Sequence, residues 1–310
     1  MTKNWPMNAK RGFMMKLGQV PKAMEDEITA ELASYTTHIL FAGRYFGSGT
    51  FATIDGCYGV LTASHVVKKG VLFAEEAQRA LNEKRHKARR NPNTAKLTMS
   101  LNIANHPHNF SIPLSVVHPV LIGDGDDSPT GPDLAFVLLP PQCIGEIRAK
   151  KSFWPISKEP DVRIEAFDQR VGFVVAMGLP GERAILQPGS HGFARLIELN
   201  YEGHFGAVDR HRKRGKHDYL DIAIGSKSHP LTPHSYGGMS GGGVWHVVFG
   251  RQAADPAKKL VYQPPALVGV AYYEYEVDDG KIGLHAHGPK SIYRVLPREV
   301  SPSPGNAGTA

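Results

Sequence analysis

Cysteine is scarce in this sequence, which has only Cys57 and Cys143 among 310 residues. Two cysteines cannot build the dense disulfide framework of a small secreted scaffold, so we expect free thiols, although pairing of these two stays open. No apolar run approaches the ~18 residues that a membrane-spanning helix needs. Residues 1–20 also lack the continuous apolar core of a secretory signal. We therefore expect a cytoplasmic protein without a membrane partner, the alternative being a mature chain whose signal has been removed.

Acidic residues are fewer than basic residues, and the resulting net charge of +7 is unevenly distributed along the chain. Residues 68–96 contain nine Lys or Arg against three Glu, and residues 209–216 contain five basic residues against one acid. The first segment is most simply a solvated helix face. An acidic protein or a nucleic acid as regulatory partner remains an alternative, but no nucleic-acid-binding motif and no interleaved aromatic residues support it.

The local pattern is that of many short strands. Apolar residues make up 41% of the chain, enough for a packed core. Residues 21–34 predict a short N-terminal helix, and Asp55-Gly56 predicts a hairpin turn between two strands. Residues 72–90 interrupt the β pattern and predict an inserted basic helix. Residues 291–296 are interpreted as a closing strand. These signals predict an all-β fold of barrel or sandwich type.

A serine lies among glycines in residues 237–243, Gly-Gly-Met-Ser-Gly-Gly-Gly. A serine hydroxyl becomes a nucleophile only where the backbone exposes it and a base lies beside it. Glycines allow such a sharp bend, and the N–H groups of Gly238 and Ser240 could both point at a developing oxyanion. Taken alone, the segment is equally compatible with a flexible loop.

A histidine and an aspartate occur upstream in suitable contexts. In the apolar segment 59–67 we predict a strand that ends at His65, and Asp133 opens a second apolar strand over residues 133–139. Singly, a structural histidine and a strand-initiating aspartate are the simpler interpretations. Together with Ser240 they give the order His, Asp, Ser, which differs from the order in subtilisins and α/β-hydrolases.

These three motifs, LTASHVV, DLAFVLL and GGMSGGGVW, resemble those of trypsin-like (chymotrypsin-fold) serine proteases over roughly residues 35–297. The resemblance implies two antiparallel β-barrels with the active site in the cleft between them. It implies a serine endopeptidase that works through an acyl-enzyme, with Ser240 as nucleophile, His65 as general base and acid, and Asp133 orienting the imidazole. We expect the following segments: an extension with a short helix (1–34), a first barrel (35–145), a linker (146–168), a second barrel (169–297) and a disordered tail (298–310).

Two residues depart from the family pattern. Met239 stands where zymogen-activated members have an aspartate that pairs with a new N-terminus, so that ion-pair switch should be absent. Gly243 stands where proline is frequent. Some bacterial and intracellular members also lack the aspartate, and this chain resembles that type. We therefore predict that the glycine-rich loop around Ser240 must be held by another support, that it is conditionally ordered, and that a partner regulates the activity.

The resemblance also implies a substrate pocket with conflicting signals. Its base falls on His234 and its second wall on Ser291, which could favour an acidic or polar substrate side chain. The other wall falls on Tyr272, Tyr273 and Glu274, and Glu274 could favour a basic one. Specificity therefore stays open, and His234 is equally well explained as a loop histidine bonded to backbone.

No cofactor or metal is expected. The pairs His106/His108 and His285/His287 would each face one side of a strand, but no cysteine cluster or third ligand accompanies them, so structural roles are the simpler interpretation. One functional alternative belongs to a different class. The chain could be a protease-like module that binds a protein or peptide in its cleft without turnover.

Overall fold

Two antiparallel β-sheets form most of the structure, as the sequence predicted. The computed structural model describes residues 20–87, 97–103, 109–123, 129–157, 172–188, 195–198, 200–226, 233–251, 260–277 and 281–301. His106, His108, the predicted linker from residue 158 onward and the tail from residue 302 lie outside these residues. The proposed domain boundaries therefore stay predictions.

The first sheet is a half-barrel with the strand order β5-β4-β1-β2-β3-β7-β6, and β8 adds to β2 in parallel. Its strands are β1 Thr36–Phe41, β2 Arg44–Ile54, β3 Cys57–Thr62, β4 Thr98–Asn102, β5 Asn109–Pro113, β6 His118–Ile122, β7 Leu134–Leu138 and β8 Trp154–Pro155. The predicted turn between β2 and β3 is confirmed. Asp55 and Gly56 have φ of 47° and 84°, the positive values that such two-residue hairpin turns require.

The second sheet closes on itself, because β14 pairs with both β16 and β9. The ring runs β14-β16-β17-β13-β12-β9, with β15 attached to β14 and a separate ribbon of β10 and β11. The strands are β9 Gly172–Gly178, β10 Ile185–Pro188, β11 Arg195–Glu198, β12 Glu202–Arg214, β13 His217–Ser226, β14 Gly243–Arg251, β15 Leu260–Tyr262, β16 Ala266–Val277 and β17 Lys281–His287.

Few helices accompany the sheets. They are α1 Lys22–Ala33, α2 Ser64–Lys87, α3 Pro141–Arg148 and α4 Leu296–Val300, with 3-10 turns at Leu114–Val116 and Gly181–Arg183. The N-terminal helix is confirmed at α1. In the described part of the chain, no helix is both long enough and apolar enough to cross a membrane.

Two local predictions were wrong. The inserted basic helix begins at Ser64 rather than residue 72, so His65 lies in the first turn of α2 and not at a strand end. The start was missed because Val66 and Val67, β-branched and fully buried under the sheet, continue the appearance of a strand. Residues 291–296 are helical, a π-helical turn at Ser291–Val295 that runs into α4.

One hydrophobic cluster joins the two sheets and α1 around the buried ring of Trp245. Trp154 of β8 meets this ring edge-on at 5.1 Å between centroids, and Tyr35 packs against it at 5.2 Å. The cluster includes Leu61 of the first sheet and Val175 of the second. Shared burial of this kind fixes the two sheets against each other, and hence the cleft that lies between them.

The basic segment 209–216 forms the end of the β12–β13 hairpin. Arg212 contacts Asp221 at 2.5 Å, Lys216 contacts Glu299 at 2.8 Å, and Arg214 donates to the carbonyl oxygen of Thr130 at 3.1 Å. Three of the basic side chains in this segment thus have partners within the chain.

Candidate active site

His65 and Asp133 are joined by two hydrogen bonds, where β3 ends and β7 begins in the first sheet. Asp133 precedes β7, which pairs with β3 just before His65. One carboxylate oxygen accepts the backbone N–H of His65 at 2.9 Å, and the other lies 2.5 Å from the ring Nδ1. The carboxylate thereby satisfies an N–H at the start of α2, where helices leave such groups unbonded and favour negative charge.

This pairing settles the orientation of the imidazole. An ionised carboxylate only accepts hydrogen bonds, so the proton lies on Nδ1 and Nε2 is left as the basic nitrogen. His65 is 6% exposed and Asp133 1%. A hydrogen bond this well shielded from solvent is stronger than the same bond exposed to water.

The backbone of Asp133 is held from the second sheet. Its N–H donates to Nε2 of His287 on β17 at 2.9 Å. The phenol of Tyr272 donates to the carbonyl oxygen of Pro129 at 3.1 Å in the preceding segment. His287 is fully buried, and this burial lowers its pKa to about 3, so the ring stays neutral and keeps Nε2 as an acceptor.

Ser240 lies in a tight turn before β14. Its carbonyl oxygen accepts the N–H of Ser48 on β2 at 2.9 Å, and its hydroxyl donates to the carbonyl oxygen of Tyr272 at 3.3 Å. The next residue, Gly241, has φ of +88°, and an added Cβ there would lie 2.0 Å from the Thr62 hydroxyl and 2.1 Å from the Ser48 carbonyl oxygen. Only glycine fits this turn.

We use the name oxyanion loop for residues 237–242. The N–H groups of Met239, Gly241 and Gly242 donate to carbonyl oxygens of Tyr236, Ala271 and Met239, at 2.9, 2.7 and 2.9 Å. Within the described residues, these loop bonds leave the N–H groups of Gly238 and Ser240 unused. Two such donors, two residues apart, are what an oxyanion hole requires.

Met239 anchors the loop through packing. Its side chain is fully buried and belongs to the hydrophobic core of the second barrel, with Tyr236 and Leu284. Gly243 is also packed closely, since an added Cβ would lie 2.6 Å from the Thr50 hydroxyl. The absence of proline at Gly243 therefore does not leave this position loose.

An open cleft of about 460 Å³ lies between the sheets and contains both His65 and Ser240. Of the predicted pocket residues, Tyr273 and Glu274 line the cleft. The ring of Tyr272 is buried, and only its carbonyl oxygen reaches Ser240. Gly238, predicted for the oxyanion hole, also lines the cleft. The cleft is completed by residues that sequence reasoning did not single out, namely Phe46, Lys69, Tyr236, Gly237, Ala271, Tyr275, Glu276, Ile282 and Leu284.

The predicted placement of His234 and Ser291 needs correction. His234 is exposed, and its backbone N–H donates to Glu182 at 2.9 Å. Ser291 is fully buried in the helical segment after β17, where its hydroxyl bonds to the side chain and carbonyl oxygen of Asp218, both at 3.0 Å. Neither residue forms part of the cleft lining. Ser291 is misplaced because the chain after β17 turns into a helix instead of continuing as a strand.

The pair His285/His287 does face one side of β17, but each histidine has a structural partner. His285 Nδ1 lies 2.7 Å from the carboxylate of Asp221, and its ring stacks on Tyr275 at 4.2 Å. Among the described residues, no group of three or more His, Cys, Asp or Glu is arranged to hold a metal ion. Cys57 and Cys143 are free thiols.

Comparison with known proteins gives no family. No family model matches the chain, and no curated protein matches it. The matching solved structures include one from Sesbania mosaic virus, described as "Aromatic interactions drive the coupled folding and binding of the intrinsically disordered Sesbania mosaic virus VPg protein". It is 12% identical over 92% of this chain and 94% of that chain, with a TM-score of 0.40. We therefore argue the function from this chain's own residues.

Proposed function

We propose that this protein is a serine endopeptidase of chymotrypsin-like type with the triad His65, Asp133 and Ser240. The observation that carries the proposal is the two hydrogen bonds that the Asp133 carboxylate accepts from the backbone N–H and the ring of His65. His65 lines the cleft that also contains Ser240. A histidine oriented in this way, beside a serine in a glycine turn, is the arrangement that activates a hydroxyl nucleophile.

The chemistry follows from these positions. Ser240 Oγ attacks the scissile carbonyl carbon while its proton passes to Nε2 of His65, and Asp133 stabilises the resulting imidazolium. The N–H groups of Gly238 and Ser240 stabilise the negative carbonyl oxygen. The C–N bond then breaks, and His65 returns the proton to the leaving amine. Water, deprotonated by the same histidine, hydrolyses the acyl-enzyme and restores Ser240.

A fluorophosphonate probe tests this proposal, because it reacts covalently only with an activated serine. We expect the purified protein to be labelled and Ser240→Ala to be unlabelled. Ser115→Ala, which alters an exposed serine in the 3-10 turn between β5 and β6, should label like the wild-type protein. Loss of label in both variants, or in neither, would contradict the assignment of Ser240.

We also propose that the substrate residue preceding the cleaved bond has a basic side chain, because two carboxylates and only one lysine or arginine, Lys69, are among the described residues that line the cleft. Glu274 and Glu276 line it, and the buried side chains of Ile282 and Leu284 offer an apolar surface to a long aliphatic stem. The Glu274 carboxylate is oriented by the Ser235 hydroxyl at 2.9 Å and the Tyr236 N–H at 2.8 Å. A peptide-library cleavage profile should show Lys or Arg at this position. An apolar or acidic preference would count against it.

The binding-module alternative differs from the enzyme in one clear outcome. A module without turnover would not be labelled by the probe under any condition, yet it would bind peptides in the cleft. Regulation by a protein partner or a nucleic acid is a separate hypothesis. Adding RNA or DNA to the labelling reaction at several salt concentrations tests it, since phosphate-dependent effects weaken as salt rises.

A further inference from the structure

The oxyanion loop contains four glycines, so little in its own side chains fixes the direction of its peptide groups. A trans peptide group is planar, and its C=O and N–H point in opposite directions. The Gly237 carbonyl oxygen shares its peptide group with the Gly238 N–H, and the Gly238 carbonyl oxygen shares its peptide group with the Met239 N–H. Groups that bind these two oxygens therefore fix two consecutive peptide planes, of which the first contains the Gly238 N–H and the second lies between the N–H groups of Gly238 and Ser240. The hydrogen bonds of those two carbonyls reveal the support of the loop.

Both carbonyl oxygens are bound from outside the loop. The N–H of Gly181, after β9, donates to the Gly237 carbonyl oxygen at 2.5 Å, which directs the Gly238 N–H of the same peptide group to the opposite side. The Gly238 carbonyl oxygen accepts from the Tyr45 phenol at 2.6 Å and from the Ser48 hydroxyl at 3.1 Å. Tyr45 and Ser48 belong to β2, in the other sheet.

The two hydroxyls form one connected network, which we name the Tyr45–Ser48 hydroxyl pair. They lie 3.0 Å apart, the Tyr45 phenol is 2.8 Å from the carbonyl oxygen of Leu179, and the Leu179 N–H donates to Ser48 at 3.3 Å. Each hydroxyl can donate one hydrogen bond. The pair therefore has two donor protons for the carbonyl oxygens of Gly238 and Leu179. The pair thereby ties the oxyanion loop to the segment that contains Gly181.

The fit around Gly238 is close, which leaves the loop few alternatives. Gly238 has φ of +98°, and an added Cβ would lie 2.8 Å from the Tyr45 ring. Burial raises the pKa of the Tyr45 phenol, so the hydroxyl keeps its proton and remains a donor. Met239 fixes the next residue by packing, but it has no group that can bind the Gly238 carbonyl oxygen.

We propose that Tyr45 and Ser48 are positioning residues that hold the Gly238 peptide with the neighbouring N–H groups facing the cleft. In this role the neutral hydroxyl pair replaces the ion pair that Met239 cannot make. The inference rests on the proposed function, because it assigns the loop to stabilisation of an oxyanion. It also makes the active loop conformation intrinsic to the folded chain, so that no cleaved N-terminus is required.

The decisive variant is Tyr45→Phe, which removes one hydroxyl and keeps the ring. We expect kcat to fall by roughly 10- to 100-fold with KM changed less than about threefold, because oxyanion contacts act mainly in the transition state. Ser48→Ala should have a smaller effect in the same direction. The matched control is Tyr293→Phe, which deletes a buried phenol that donates to the Leu267 carbonyl oxygen at 2.9 Å. This control should keep kcat within about twofold of wild type.

A second measurement does not depend on activity. Hydrogen exchange of the peptide covering residues 236–242 should be at least about tenfold faster in Tyr45→Phe and unchanged in Tyr293→Phe. Unchanged exchange and unchanged kcat would overturn the proposal. Faster exchange with unchanged kcat would overturn the positioning role and leave only a structural one. If the wild-type protein is never labelled by the probe, the proposed function fails, while exchange still decides whether the hydroxyl pair holds the loop.

Discussion

The two halves of the candidate site are organised in opposite ways. In the first sheet, His65 and Asp133 hold each other through two direct hydrogen bonds and are almost fully buried. In the second sheet, the loop around Ser240 is mostly glycine, and the Gly238 carbonyl oxygen is held by side chains from the first sheet. The proposed base thus bonds to its aspartate within one sheet, and only the Asp133 backbone N–H reaches the second sheet, at His287. The oxyanion loop, in contrast, has the Gly238 carbonyl oxygen bound by side chains of the other sheet. Substitutions at that contact should affect the loop first.

The largest effect is expected from removing the base. His65→Ala should lower kcat/KM by roughly three to six orders of magnitude, because without a base the Ser240 hydroxyl is a poor nucleophile. Steady-state cleavage of a substrate found by peptide library measures this. His118→Ala changes an exposed histidine of the same sheet and should have little effect. A loss below about tenfold for His65→Ala would mean that the base is misassigned.

A second prediction compares two glycines of positive φ. Gly241→Ala, in the oxyanion loop, should destabilise the protein by about 3 kcal/mol or more, because a strained φ is combined with a Cβ placed 2.0 Å from Thr62. Gly43→Ala, in the turn between β1 and β2, has φ of +76° but no atom within 4 Å of the added Cβ, and should cost about 1 kcal/mol.

Urea unfolding followed by fluorescence gives both free energies of unfolding from one method. Equal losses in the two variants would show that φ strain alone determines the cost. A greater loss at Gly43 than at Gly241 would contradict the tight packing that we describe for the oxyanion loop.

A third prediction concerns pH, and it applies to both sheets. Burial lowers the pKa of His38 and of His287 to about 3, and that of His246 to about 4, from the ordinary 6.5. Between these values the unfolded chain binds protons that the folded chain does not. The free energy of unfolding should therefore decrease as pH falls below 6.5, by up to about 1.4 kcal/mol per pH unit for each of these groups.

Urea midpoints at pH 7.5, 6.0 and 5.0 measure the slope. His287→Gln removes one of the three groups while its amide oxygen can still accept the Asp133 N–H, so the variant should show a shallower loss. His118→Gln, at an exposed site, should follow the wild-type curve. An identical slope in His287→Gln would show that this histidine is not held neutral by burial.

Strand and turn signals in the sequence were sufficient to predict the fold class and the turn at Asp55–Gly56. Local signals also predicted the N-terminal helix, because all three features depend on local backbone preferences. The start of α2 and the helical segment after β17 were missed. Val66 and Val67 favour strands locally, but packing under the first sheet decides their conformation. The short apolar run that includes Ile292 and Val295 fits either a strand or a helix, since periodicity does not distinguish them over so few residues.

The site was predictable in part for a similar reason. His65, Asp133 and Ser240 each lie in a short, recognisable context. The fold brings His65 and Ser240 to one cleft, and Asp133 is buried and bonded to His65. The hydroxyl pair has no such signal, because Tyr45 and Gly238 are 193 residues apart and meet only through packing of the two sheets. Ser291 was predicted in the pocket wall because residues 291–296 were interpreted as a strand, whereas the chain forms a helix there.

The hydrogen bond between Asp133 and His287 has a consequence for biosynthesis. The two residues are 154 positions apart, and at a ribosomal rate of ~5–20 residues per second about 10–30 s separate their synthesis. Until β17 has been made, the backbone of Asp133 lacks its acceptor and the second ring cannot close. The growing chain thus acquires this support of the Asp133 backbone only after residue 287 has been synthesised.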